Sequence, residues 1–131
     1  MVLDTSAIVA AIAGEPDGYR FQDAMLGAIS LAVSAVTVLE TRMVLFSRQG
    51  ADAVRAFDEL LAGAPISVVP FDAEMAEVAF GAFRRYGKGQ GHRAQLNIVD
   101  CAAYTLAKVR ADTLLFKGSD FGRTDIEPAL S

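Results

Sequence analysis

Four short apolar runs, Val2-Leu3, Ser30 to Ser34, Ile66 to Val69 and Thr113 to Phe116, punctuate this chain, with helix-patterned sequence between them. Runs this short suit buried strands, and the long segments joining them suit crossover helices. Strands that alternate with helices pair in parallel and need helices on both faces of the sheet. Ala7 to Ala13, Asp17 to Ala28, Val36 to Gln49, Ala51 to Ala62, Asp72 to near Gly87 and Leu96 to Val109 are the predicted helices. Thr5-Ser6 suits the cap of the first, Gly50 the stop of the third, and Asp72 the N-cap of the fifth. Gly87, Gly89 and Gly91 mark the stretch through Arg93 as a mobile loop, and a short edge strand is expected near Ile126.

At 131 residues the chain fits one domain, 1–131, large enough to bury roughly two-thirds of its unfolded surface. The formal net charge of −4 argues against a protein that coats nucleic acid non-specifically. A local exception exists: no acid occurs between Glu77 and Asp100, where Arg84, Arg85, Lys88 and Arg93 all fall. These four are candidate phosphate contacts. The single cysteine, Cys101, excludes an internal disulfide and suits a reducing compartment. No basic, then apolar, leader opens the chain, and no apolar stretch is long enough to span a bilayer, so it reads as soluble and cytoplasmic.

Four acids carry the chemistry. Asp4 ends the first apolar run, Glu40 interrupts the run from Leu31, Asp100 lies within Leu96-Asn97-Ile98-Val99-Asp100-Cys101-Ala102-Ala103, and Asp120 follows Leu114-Leu115-Phe116. Carboxylates enter apolar surroundings only when paired, hydrogen-bonded or bound to a cation. In open α/β sheets, ligands bind beyond the carboxyl ends of the strands, where strand order reverses. All four acids are expected at that edge, with Asn97 on the same helix face as Asp100. Such a cluster suits Mg²⁺ or Mn²⁺, hard ions that take oxygen ligands. The chemistry these ions support is phosphodiester hydrolysis.

Three of the acids also have a plainer reading, whereas an unpartnered acid at Asp100 would be costly. Asp4 suits a helix cap, Thr37-x-x-Glu40 matches a capping box, and Asp120 suits a turn. Asp125 reads as a solvated loop residue, with an outer-shell role as the alternative. Cys101 reads as a small buried residue, and His92, the only histidine, as a surface one.

Val2-Leu3-Asp4-Thr5-Ser6-Ala7 and Ser34-Ala35-Val36-Thr37-Val38-Leu39-Glu40 resemble the opening motifs of PIN-domain nucleases. Leu96 to Tyr104 and Leu114 to Phe121 resemble the VapC-type toxins of bacterial toxin–antitoxin pairs. The motifs come in the family's order along essentially the whole chain. The resemblance implies a three-layer α/β/α domain with a mostly parallel sheet of four to five strands. It implies a Mg²⁺- or Mn²⁺-dependent endoribonuclease leaving 5′-phosphate and 3′-hydroxyl ends, a homodimer, and a VapB-type antitoxin that joins it in a hetero-oligomer. Asp4, Glu40, Asp100 and Asp120 match the family's acidic site, with Asp4, Asp100 and Asp120 as metal ligands and Ser6, Thr5 and Asn97 as supports. Ser119 stands where many relatives carry an acid or amide, and Val99 where glycine is common. Neither departure removes an acid. The alternatives are an inactive PIN-like binding module for RNA or protein and a Mg²⁺-binding receiver-like domain.

Overall fold

A computed structural model describes residues 1–130; the last residue of the expected 1–131 domain, Ser131, lies outside the described residues. Four strands, β1 (Val2–Leu3), β2 (Leu31–Ser34), β3 (Ile66–Val69) and β4 (Leu114–Leu115), form one sheet in the order β3-β2-β1-β4. Every strand pair is parallel. Six helices connect them: α1 (Thr5–Ile12), α2 (Gly18–Gly27), α3 (Ala35–Gln49), α4 (Ala51–Gly63), α5 (Ala73–Tyr86) and α6 (Ile98–Arg110).

The period-2 pleat sorts the strand residues into two cores. Leu3, Leu31, Val33 and Leu115 pack with α1 to α4, around Ile8, Phe21, Leu45 and Phe57. Val2, Ala32 and Leu114 face the other way, against Tyr86 of α5 and Cys101, Tyr104 and Leu106 of α6. This is the three-layer arrangement expected. The strand expected near Ile126 shrinks to one isolated parallel bridge, Leu114 with Pro128, so the sheet has four strands.

Three local details refine the sequence reading. Asp4, in the plainer of its two readings, caps α1 in place of Thr5-Ser6, accepting from the Ser6 amide at 3.0 Å. Ser34, not Thr37, caps α3, accepting from the Val36 amide. Thr37 is therefore inside the helix, its Oγ1 is buried without a partner, and Glu40 is free of capping duty. The glycine loop is pinned at its base rather than loose, because Tyr86 and Lys88 exchange backbone hydrogen bonds with Leu96.

Gly50 turns α3 directly into α4 at φ +81°, a backbone conformation that favours glycine. The strand order places the reversal at β1 and β4. Asp4 leaves β1 at that crevice. Because α6 feeds into β4, its N-terminus, with Asp100, returns to the same edge.

Candidate active site

Asp4 is buried, and Ser6 holds one side of it. The Ser6 hydroxyl donates to Asp4 Oδ2 at 2.6 Å, and the Ser6 amide donates to the same oxygen. Asp4 Oδ1 is buried with no hydrogen-bond partner. Burial is the chief cause pushing the Asp4 carboxyl above its ordinary range, and the Glu40 charge adds to it. An orphaned carboxylate oxygen is costly in an apolar setting. It is also a free ligand position for a cation.

Asp100 sits at the third position of α6 in a reciprocal capping box. Its Oδ2 accepts from the Asn97 amide at 3.0 Å, and Asn97 Oδ1 accepts from the Asp100 amide at 2.9 Å. Asn97 is thus the N-cap and not a helix-face neighbour, which corrects the sequence reading. The box uses one Asp100 oxygen. Its pKa is raised to about 6, first by burial and then by the charges of Asp4, Glu40 and Asp120. Asp4, Glu40 and Asp120 thus each lie near enough to act on Asp100, and Glu40 near enough to act on Asp4.

Among the described residues, no three His, Cys, Asp or Glu side chains already converge as a closed ligand set. Unshielded carboxylates that share a site repel and splay. The donor chemistry, all oxygen, fits a hard divalent ion, and so does the orphaned Asp4 Oδ1.

The supporting residues are less uniform. Ser6 is beside Asp4 as expected, and Thr5 is buried with its Oγ1 accepting from Thr41 at 3.3 Å. The candidate RNA-phosphate contacts Arg84, Arg85, Lys88 and Arg93 are all exposed. Arg85 lies 4.8 Å over the Tyr86 ring and 3.8 Å from Asp125. Asp125 also binds Tyr104 and Lys108, so it serves α6 packing and not the acid cluster. His92 is half-buried instead of superficial, its Nδ1 accepting from the Ala94 amide and its ring edge-on to Tyr86. Burial, with Asp100 adding, pushes the Cys101 thiol up to about 11, which leaves it inert.

The PIN domain family matches residues 1–127 of this sequence. The chain belongs to the PIN domain family. Ribonuclease VapC30 of Mycobacterium tuberculosis is 44% identical over 126 residues, spanning 96% of this chain and 95% of its own. Among solved structures, the sarcin-ricin loop cleaving toxin VapC20 of M. tuberculosis superposes with a TM-score of 0.79 at 19% identity, over 95% of each chain. VapBC2 of Rickettsia felis, solved on a DNA fragment from their promoter, gives 0.72 at 19% identity, over 97% of this chain and 94% of that one. PIN-domain ribonucleases as a group depend on divalent metal.

One group of residues escaped sequence reasoning. Lys117 Nζ binds both Glu15 and Asp17, the latter at 2.8 Å, and the Lys117 amide donates to Ser6 Oγ at 2.9 Å. No short-range signal marks these partners, which lie 100 or more residues away in sequence.

Proposed function

We propose that this protein is a divalent-metal-dependent endoribonuclease, the toxin of a toxin–antitoxin pair. The observation that carries this reading is Asp4 Oδ1, buried and unpartnered while Ser6 holds Oδ2, at the sheet edge to which α6 returns Asp100. The charges of Asp4, Glu40 and Asp120 support it by raising the Asp100 carboxyl. Relationship to VapC ribonucleases over nearly the whole chain supports RNA as the substrate.

Asp4 Oδ1, Asp100 and Asp120 would hold Mg²⁺ or Mn²⁺. When bound, such an ion polarises a phosphate and lowers the pKa of water. Asp4 is held rigidly by the two Ser6 hydrogen bonds, and Asp100 by its capping box, so two ligands are preorganised. Glu40, free of capping, would take the proton of the attacking water. Arg84, Lys88 and Arg93 would contact neighbouring phosphates, fixing the strand without reading its bases.

The antitoxin would present an Arg or Lys that neutralises the acids in place of metal. An apolar groove of about 410 Å³ between α1, α2 and α4, lined by Ile12, Met25, Leu26 and Leu60, supports docking of its apolar segment. For a homodimer, support comes from Leu39, Met43 and Phe46. These form one exposed stripe on α3 at helical spacing.

The decisive experiment replaces Asp4 and, separately, Asp100 with asparagine and assays RNA cleavage and growth arrest with Mg²⁺ or Mn²⁺. Each loss is expected to exceed about a hundredfold, as when a transition-state electrostatic group is removed. Full cleavage by both variants would refute the reading.

A further inference from the structure

We propose that Lys117 is a positioning residue that clamps α1 along its length and thereby aims Asp4 at the cation; this rests on the metal-dependent reading above. The Lys117 amide donates to Ser6 Oγ at 2.9 Å in the first turn of α1. A hydroxyl has a single proton, and one that accepts from a fixed amide directs that proton elsewhere. Here it goes to Asp4 Oδ2, at 2.6 Å. Oδ2 is thereby occupied twice, and Oδ1 is the oxygen left buried and unpartnered.

The Lys117 ammonium holds the other end of the helix. It binds Glu15 and, at 2.8 Å, Asp17, in the turn that follows α1. Arg48, near the end of α3, lies 3.8 Å from the second Glu15 oxygen. Thus a single residue, two past the end of β4, ties the start of α1 through its backbone and the turn after α1 through its side chain. Gly118 then turns at φ +106°, and Asp120 follows within the same loop. Loss of the ion pairs would loosen the loop that carries both the Ser6 donor and Asp120.

The test measures Mn²⁺ binding by calorimetry without RNA, beside cleavage kinetics across a Mn²⁺ titration. Lys117→Met keeps the amide and the bulk but removes the ion pairs. Since each part-exposed pair contributes modestly, we expect Mn²⁺ affinity to fall about three- to tenfold. The rate at saturating Mn²⁺ should stay within about twofold. Lys117→Arg should restore affinity, and a Glu15→Gln, Asp17→Asn double variant should reproduce the loss without adding to Lys117→Met. If Lys117→Met does not fold, that double variant alone decides. Arg42→Met, which breaks the exposed Arg42–Asp58 pair, is the control and should change nothing. Wild-type Mn²⁺ affinity in Lys117→Met or in the double variant would overturn the clamp. Absence of Mn²⁺ binding by the unaltered protein would instead overturn the function proposed above.

Discussion

Substituting Asp100 with asparagine should abolish cleavage and yet make the metal-free protein more stable. The Asp100 pKa rises from 3.8 to about 6, which corresponds to about 3 kcal/mol opposing its ionised form. The carboxyl is only part-buried, and solvent screening roughly halves that figure, to about 1.5 kcal/mol. Removing a negative charge from the first turn of α6 costs about 0.5 kcal/mol through the helix dipole. The side-chain carbonyl of asparagine still accepts from the Asn97 amide, so the cap survives. The net gain is about 1 kcal/mol, or about 3–4 °C in Tm for a chain of this size.

The sign follows from linkage. A carboxyl whose folded pKa is raised contributes stability below pH 3.8, which is lost as pH rises through about 6. Melting curves in EDTA at pH 4 and pH 8 check this. The Asp100→Asn advantage should be present at pH 8 and vanish at pH 4. Mg²⁺ should raise the wild-type Tm in proportion to ln(1 + [Mg²⁺]/Kd) and move the variant far less. A variant that melts at or below wild type in EDTA at pH 8 would refute the reasoning, because it would mean that ionising Asp100, against burial and its acidic neighbours, carries no net penalty in the fold.

Two further outcomes are expected. Phe46→Glu puts a charge into the exposed α3 stripe and should leave a folded monomer by light scattering, whereas an unchanged dimer would move the interface elsewhere. Phe57→Ala empties a fully buried position in the α1–α4 core and should cost about 3–5 kcal/mol in a denaturant titration.

The fold was legible where one signal dominated. Ile66–Val69, the Asp72 cap and the Gly50 stop are all as expected, because each depends on residues within one turn. At the start of α3 the Thr37-x-x-Glu40 pattern misled, because Ser34, buried at the end of β2, caps the helix three residues earlier. Asn97 presented the same difficulty, since cap and helix-face positions differ by a single turn. At the candidate site, Asp4, Glu40 and Asp100 were visible because each ends or interrupts an apolar run, whereas Asp120, among Lys117, Gly118 and Ser119, was visible only through the family motif. The Lys117 clamp was not, since its charge looks like any surface lysine until β4 is set beside β1.

The central claim is that Asp4, Asp100 and Asp120 share a cation. A crystal of the protein grown with Mn²⁺, examined by anomalous diffraction at the manganese edge, tests it most directly. A peak is expected at coordination distance, about 2.0–2.3 Å, from Asp4 Oδ1 and an Asp100 oxygen, with Asp120 beside it directly or through water. No peak there, from protein that still cleaves RNA in the same Mn²⁺ buffer, would contradict it.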